Sequence, residues 1–525
     1  MPGKGYRFIA AIEVVSEAPP GGSRPRFPAR VVGGILSVAA LTVFASWAWL
    51  ARAPAPRLTL AVLPFENLSG DPEREYLADG LAEDTIASLG QIDPEHVGVI
   101  GRTSIMTYKR TTKSLADIGH ELGVDYLVES SLRAENGRLR ITSKLIRVRD
   151  QVQVWSESYD REPATLLGLQ RELSTVIAEG IRIRLSPERL NALARRHTRN
   201  AYAYDLYLRG RYFGNQLTPA TNKRAIEYYE RATALDPNYA LAWSGIADAL
   251  SASPINSDVP PLQVSARARE AAERAVRADP ELSEAQASLG YVDFLLDWNW
   301  SIAEAAFRRA IALDPSYSRA QVLLGHVLSQ TGRQREAEAA MGRAREIDPA
   351  NAMVHAMSAQ IALQGRDYSA AVAHARQAII VAPEFWIGHI QLGQVYEQLG
   401  RSEAAFEALA SAARFSGGNT KTMSFRGHLL AKLGRRDEAR DVLRTLESAS
   451  RDRYVPPFTI ALVHAGLGER EAVFEWLERA YEARDVHLIF LPVDARWDAY
   501  RADPRFGALL ARCGFVSGAG RIANK

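Results

Sequence analysis

A period of 34 residues constrains the fold of this chain more than any other feature of its sequence. Units that begin at Ser318, Ala352, Trp386, Thr420 and Tyr454 align without an insertion. Their eighth position is always Gly or Ala, and their fifteenth is Gly in four units: Gly332, Gly400, Gly434 and Gly468. Glycine readily adopts the left-handed conformation that ends a helix. Each unit therefore predicts two antiparallel helices, which bury their apolar faces only when units stack.

The unit from Trp386 carries the clearest pattern, with Leu392-Gly393, Tyr396, Ala405, Leu409 and Ala412. This pattern resembles the tetratricopeptide repeat (TPR). Asp-Pro pairs, which often close such units, follow the earlier ones at 236–237, 279–280, 314–315 and 348–349. The resemblance implies an all-α superhelical TPR solenoid of about eight units over residues 200–488, then a C-terminal cap and tail over 489–525.

Two units depart from the regular pattern. The second, Asn238 to Pro280, is longer than the others, and we predict that its surplus forms a Ser- and Pro-rich loop from Ser251 to Pro261. Such a loop is either a neutral surface feature or part of a binding face. The third carries Trp298-Asn299-Trp300, which we interpret as packing between repeats, with ligand contact as the alternative.

Residues 31–51 contain no charge and are bounded by Arg30 and Arg52. At ~1.5 Å per residue, a helix of this length reaches across a bilayer core. Basic residues are more numerous before it than directly after it, which predicts a cytoplasmic N-terminus and a periplasmic bulk. We therefore predict a single-pass protein of a bacterial inner membrane, with residues 16–30 as a linker. A cleaved signal peptide is the alternative.

Between this segment and the repeats, the pattern predicts a small α/β domain. Leu58–Phe65, Val97–Ile100, 125–132, 138–149 and 151–159 are predicted strands. The spacing of apolar residues predicts helices over 73–89 and 114–122. Gly123 is predicted to end the second helix. Asn136-Gly137 is typical of a hairpin turn.

The sequence Ala61-Val62-Leu63-Pro64-Phe65-Glu66-Asn67-Leu68, followed by Tyr76-Leu77-Ala78-Asp79-Gly80-Leu81, resembles the amino-terminal domain of TolB. The resemblance covers about residues 57–185 and implies a binding or sensory domain rather than a catalytic one. Together these segments predict an α+β protein with a single transmembrane helix, a small TolB-like α/β domain and an all-α solenoid.

Residues 1–15 contain Gly3-Lys4-Gly5-Tyr6-Arg7-Phe8, which resembles the last hairpin of an OmpR/PhoB-type winged-helix domain. In that family the recognition helix precedes this hairpin, so we expect that the chain as written does not bind DNA. Either the DNA-binding part was lost or the start codon was placed too late. The order of segments resembles ToxR/CadC-type membrane regulators. Other relatives carry a class III nucleotide cyclase in front.

Composition and motifs give no sign of catalysis. The net charge of +3 is too small to indicate nucleic-acid binding, and the single cysteine, Cys513, excludes an intrachain disulfide. Phosphate-binding glycine loops and G-x-S-x-G elbows are absent from the sequence. His120-Glu121 begins like a zinc-protease helix, but Val124 stands where the second histidine would be. We therefore expect no enzyme activity, no cofactor and no metal.

In the TPR family, positions 2, 5, 9 and 12 of the first helix build the concave face. Carried over to this sequence, they predict a partner-binding face made of Arg319, Val322, His326, Ser329, Ile387, Ile390, Gln394 and Glu397. These residues combine apolar and polar side chains, which suits a protein or peptide partner. A homo-oligomer is a further option. The leading hypothesis is the sensory, protein-binding half of a ToxR/CadC-like transcription regulator. The alternatives are a constitutive envelope scaffold, the non-catalytic part of a cyclase-like protein and a purely structural solenoid.

Overall fold

The computed structural model of the chain describes residues 57–94, 96–135, 138–162, 169–181, 197–216 and 218–515. All of these belong to one unit, Arg57–Lys525. The predicted hairpin remnant (1–15), linker (16–30) and membrane span (31–51) lie outside the described residues.

A mixed sheet forms the centre of the first domain. Strand β1 (Leu58–Val62) is parallel to both of its neighbours, β3 (Val97–Val99) and β4 (Tyr126–Glu135). Strands β4, β5 (Arg138–Arg147) and β6 (Val152–Arg161) then run antiparallel, so the order is β3-β1-β4-β5-β6. The short β2 (Glu66–Asn67) pairs with β4. This split parallel region followed by a meander confirms the predicted small α/β domain.

Helices cover both faces of this sheet. On one face, α1 (Glu75–Ile92) contacts β1 and β3, and α4 (Leu169–Gly180) contacts β5. On the other face, α2 (Arg102–Met106) and α3 (Leu115–Leu122) pack on the parallel strands. Helix α2 was not predicted, whereas α3 ends as predicted at Gly123, whose φ is 63°.

The rest of the described chain is a solenoid of helix pairs. The first helix of each pair lines the inside of the superhelix and the second lies outside it. The pairs are α5–α6 (Ala201–Gly214, Pro219–Leu235), α7–α8 (Ala240–Ser257, Pro261–Ala278), α9–α10 (Ser283–Val292, Trp300–Leu313), α11–α12 (Ser318–Gln330, Gln334–Ile347), α13–α14 (Ala352–Gln364, Tyr368–Val381), α15–α16 (Trp386–Gln398, Ser402–Phe415), α17–α18 (Thr420–Lys432, Arg436–Asp452) and α19–α20 (Pro457–Leu467, Arg470–Glu482). The predicted all-α solenoid is confirmed. Two 3₁₀ helices (Val486–Phe490, Ala495–Tyr500) and α21 (Pro504–Arg512) follow it.

Two kinds of small residue shape each pair. Gly400, at the turn between α15 and α16, has a φ of +70°, as the helix-ending role requires. In the preceding unit Arg366 takes the same conformation, with a φ of 65°. Gly393, inside α15, lets the outer helix approach, because a Cβ there would lie 2.8 Å from Leu409.

The predicted loop from Ser251 to Pro261 is wrong for most of its length. Helix α7 continues through Pro254 to Ser257, and Asp258 then ends it with a φ of 50°. The surplus residues of the second repeat therefore lengthen its inner helix. Asn222 of the neighbouring helix donates to Ser253 Oγ at 3.0 Å inside this extended segment.

The superhelix closes on itself between repeats that are five units apart. At the end of α7, Asp258 accepts a hydrogen bond from Thr420 Oγ1 of the seventh repeat at 2.9 Å. In the third repeat, the Trp298 ring lies 4.0 Å from the guanidinium of Arg484, which follows α20. Trp300 Nε1 donates to Cys513 O at 3.1 Å, beyond α21. Trp298 therefore packs against a distant repeat, in line with the predicted packing between repeats, whereas Trp300 packs on the C-terminal segment.

In the described part of the chain, no helix is long and apolar enough to cross a membrane. Its longest helices have 18 residues, and α1 among them carries Glu75, Asp79, Glu83 and Asp84. The predicted fold class with a single transmembrane helix is therefore corrected to a mostly helical protein with a solenoid and a small sheet domain. The predicted single-pass location in the bacterial inner membrane is therefore not supported by any helix of the described residues.

Candidate functional site

Closure of the superhelix encloses a cavity of about 1530 Å³, which we call the bore. The inner helices of the repeats form its wall, and the sheet domain contributes α1 together with Gly101 and the first residues of α2. Residues 487–496, after the last repeat, line it from the C-terminal side. The C-terminal segment thus does more than the predicted cap, because it returns to the inner face of earlier repeats.

Two of the contacts that attach the sheet domain to the solenoid are an ion-pair cluster on the first repeat and a hydrogen bond to the fourth. Arg211 of α5 contacts Asp84 of α1 through Nη1 at 2.6 Å and Glu83 through Nη2 at 2.5 Å. At the end of the fourth repeat, the Asp348 carboxylate accepts a hydrogen bond from Ser104 N at 2.9 Å. The sheet domain is therefore fixed to both the first and the fourth repeat.

Six of the eight residues predicted for the concave face line the bore: Arg319, Val322, His326, Ile387, Ile390 and Gln394. Ser329 and Glu397, both from position 12, do not. Ser329 is buried and donates to Gln364 Oε1 at 2.6 Å, and Glu397 lies 2.8 Å from His428 Nδ1. Position 12 therefore joins neighbouring repeats in these units, while positions 2, 5 and 9 face the cavity.

A ladder of amides runs along the inner face of repeats four to six. His326 Nε2 lies 3.3 Å from Gln360 Nε2, and Gln391 donates to Gln360 Oε1 at 3.1 Å. Gln394 donates to Gln391 Oε1 at 3.2 Å, and Arg496 donates to Gln394 Oε1 at 2.8 Å. Each amide has both donors and acceptors, so the ladder offers hydrogen bonds of either polarity to a bound chain.

An ion pair crosses the wall between the second and fourth repeats. Arg319 Nη1 lies 2.9 Å from Asp248 Oδ2, and its guanidinium lies 5.3 Å from the Tyr291 ring centroid. Burial raises the pKa of Asp248, whose other oxygen is buried without a hydrogen-bond partner among the described residues. Arg319 therefore has a structural partner as well as a place on the predicted binding face.

Sequence reasoning missed Gln360, Lys421 and Arg496, which also line the bore. The rule applied to the other units would have found two of them, since Gln360 is position 9 of the unit from Ala352 and Lys421 is position 2 of the unit from Thr420. Arg496 lies outside the repeats, and only the return of the C-terminal segment brings it to the bore. Across the described ranges, no group of three or more His, Cys, Asp or Glu side chains is placed to hold a metal ion.

Comparison with known families gives matches in both parts of the molecule. Residues 301–361 and 357–420 match two tetratricopeptide repeat families. The solenoid is made of tetratricopeptide repeats. Residues 56–176 match the second domain of HilA/YgeH-like transcriptional regulators, so the sheet domain is of a regulator type. The more specific TolB and ToxR/CadC resemblances stay predictions.

Individual proteins similar to this chain include one curated relative. The chain is 33% identical over 202 residues to "Putative adenylate cyclase 3" of Rhizobium meliloti (strain 1021). The aligned region covers 38% of this chain and 34% of that protein. The chain thus spans about a third of the relative's length.

Solved TPR structures are also similar to this chain. The thermophilic TPR protein TTC0263 of Thermus thermophilus has 16% identity, a TM-score of 0.32 and coverage of 37% of this chain and 98% of its own. PilF of Pseudomonas aeruginosa has 18% identity, a TM-score of 0.31 and coverage of 43% and 98%.

Proposed function

We propose that this chain is the partner-binding, regulatory part of a bacterial transcription regulator, in which the TPR solenoid recognises a protein or peptide along its inner face. The observation that carries the proposal is the attachment of a regulator-type sheet domain directly to the wall of a TPR bore. TPR solenoids present extended concave surfaces to their partners. Occupancy of the bore would then act on the sheet domain through the shared wall.

The amide ladder supports a peptide as the occupant. An extended peptide presents alternating N–H and C=O groups, and Gln360, Gln391 and Gln394 follow one another along the wall at hydrogen-bond distances. Ile387 and Ile390 supply apolar contacts beside them. The proposed residues are those of the predicted concave face that line the bore, with this ladder added.

The experiment compares transcripts in the native host. A deletion strain is complemented with the wild-type chain, with Ile387→Arg or with Ile380→Arg. Ile387 lines the bore, whereas Ile380 lies on an outer helix and is 70% exposed. We expect Ile387→Arg to reproduce the transcript changes of the deletion and Ile380→Arg to restore the wild-type pattern. A deletion that changes no transcript would favour the constitutive scaffold instead.

A second candidate follows from the identity with a putative adenylate cyclase: the chain would be the non-catalytic, regulatory part of a cyclase-like protein. We propose that the chain itself is not an enzyme in either case. The purified chain, incubated with ATP and Mg²⁺ or Mn²⁺, is expected to form no cyclic AMP. Cyclic AMP in that assay would show that the chain is an enzyme and contradict both candidates. A drop in cellular cyclic AMP on deletion, without a direct transcriptional effect, would favour the second candidate.

A further inference from the structure

A lysine without a carboxylate partner lines the bore. Lys421, the second residue of α17, donates to Ile255 O at 3.3 Å, and its Nζ lies 5.8 Å from the Trp386 ring centroid. No carboxylate of the described residues lies within 4.0 Å of this ammonium group. A partly buried cation without a direct ion pair is costly, so an arrangement like this one favours an anion beside it.

The carboxylates that act on Lys421 from nearby elements are held by other donors. Asp258, after α7, accepts from Thr420 Oγ1 at 2.9 Å and lies 3.4 Å from Arg453. Asp485 accepts from Phe458 N at 2.9 Å and lies 2.8 Å from His487 Nδ1. Both carboxylates therefore act on Lys421 only from beyond the 4.0 Å of a direct ion pair.

A second cation lies beside Lys421 on the same wall. Phe425 follows Lys421 by one helical turn, and the Arg496 guanidinium lies 4.0 Å from the Phe425 ring centroid. Arg496 is 9% exposed; its Nε and Nη2 bind Asp494 and Gln394, but Nη1 is buried without a partner among the described residues. The site thus combines an ammonium group without a direct ion pair and a guanidinium nitrogen without a hydrogen-bond partner among the described residues.

We propose that the bore binds a small organic anion, whose carboxylate or phosphate group is held by Lys421 and Arg496 and whose carbon skeleton packs on Trp386 and Phe425. Both rings line the bore and lie against the two cations. Charge-assisted hydrogen bonds to a buried anion are the strong kind. The site needs no protein partner, so it stands or fails separately from the proposed function.

The charge state of Lys421 predicts how anion binding depends on pH, which gives an independent test of the proposal. Burial is the largest influence on Lys421 and lowers its pKa to about 8, although Asp258 and Asp485 act to raise it and Arg496 to lower it further. A bound anion stabilises the ammonium form and raises the pKa again. Binding above pH 8 therefore takes up a proton, and the apparent affinity falls roughly tenfold per pH unit there.

Calorimetry on the full chain with three probes tests the ligand class. Benzoate and phenyl phosphate carry the two anionic groups on the same ring, and benzamide is the neutral match. We expect at least one anion to bind and benzamide not to bind; the tighter anion identifies the group. Binding of benzamide as tight as that of the anions, or binding of neither anion at millimolar concentration, overturns the proposal.

Substitutions of Lys421 then test whether the anion binds beside this residue. Lys421→Met is expected to weaken anion binding by about tenfold or more, since a charge-assisted hydrogen bond is lost, while Lys421→Arg retains it. Lys432→Met is the control, because Lys432 lies on the same helix but its side chain is 49% exposed. Equal losses in Lys421→Met and Lys432→Met overturn the proposal.

If Lys421→Met does not fold, the comparison of wild type with Lys421→Arg decides. Wild-type affinity must fall between pH 8 and 10 and the Lys421→Arg affinity must stay level, because arginine keeps its charge in this range. Two parallel pH profiles contradict a role for Lys421.

Discussion

Ser104 of the sheet domain donates its backbone N–H to the carboxylate of Asp348 at 2.9 Å, across 244 positions of sequence. The Ser104 hydroxyl donates to the same oxygen and accepts from Ala350 N at 2.7 Å. In the second repeat, the corresponding Asp279 only caps its own turn, by accepting from Glu281 N at 3.1 Å. One Asp-Pro pair thus attaches a second domain, while another closes a repeat.

Replacement of Asp348 by Ala is therefore expected to lower the free energy of unfolding by about 1–3 kcal/mol, because buried donors of Ser104 lose their acceptor. Asp279→Ala, the matched control, is expected to cost less. Urea denaturation gives the energies, and hydrogen exchange at the Ser104 amide gives the location. Equal costs in the two variants, with no faster exchange at Ser104, would refute the attachment.

The carboxylate of Asp314 makes the stability of the protein depend on pH. Asp314 is 5% exposed, and burial raises its pKa from 3.8 to about 6, although Ser316 N donates to it at 2.9 Å. Because the folded state disfavours the ionised form, this contribution to stability is fully present below pH 3.8 and is lost as the pH rises through 6. Relative to Asp314→Asn, the wild type should lose on the order of 3 kcal/mol between pH 3.5 and 7. A stability difference that does not change over this range would contradict the prediction.

The indole of Trp300 tests the closure of the superhelix. Trp300→Phe removes the hydrogen bond to Cys513 O but keeps an aromatic ring against Phe515, whose centroid lies 4.4 Å away. We expect a loss of about 1 kcal/mol and faster hydrogen exchange in α21. Trp243→Phe loses a similar bond, 2.9 Å to Pro237 O in the turn just before its own helix. That control should leave exchange in α21 unchanged; an equal effect of both variants would argue against closure.

Replacement by alanine should change the stability in opposite directions at Gly400, in a turn, and at Gly342, inside a helix. Gly400 has a φ of +70°, and a Cβ added there would meet no atom within 4 Å, so Gly400→Ala carries a purely conformational cost of about 1 kcal/mol. Gly342 lies inside α12 with open space around it. Gly342→Ala is expected to stabilise by up to about 1 kcal/mol. Thermal denaturation of the two variants measures both; a shift in melting temperature of the same sign would show that the turn conformation is not the cause.

Local patterns predicted most of the secondary structure. The repeat glycines end helices because only local backbone geometry decides that role, and Gly123 does the same in the sheet domain. Alternation and turn residues likewise located β4, β5 and β6. These features depend on neighbours within a few positions, so they can be read from one sequence.

The bore was beyond such reasoning. Positions 2, 5, 9 and 12 of a repeat were expected to face inward, and in the two units tested the first three line the cavity while position 12 does not. Arg496 reaches Gln394 only because the C-terminal segment folds back over about 100 residues. The Ser251–Pro261 error has a related cause, since an interior Pro is normally a break signal, yet α7 continues past Pro254.

The contacts between repeats five units apart also bear on how such a chain changes over evolution. An open array gains or loses a repeat at little cost, because each unit contacts only its neighbours. Here Trp298 meets Arg484 and Asp258 meets Thr420, and each pair depends on the number of units between them. Duplication of a single internal repeat would bring the wrong residues opposite one another. The length of this array is thus itself under structural constraint, and relatives should differ in loops and side chains before they differ in the number of repeats.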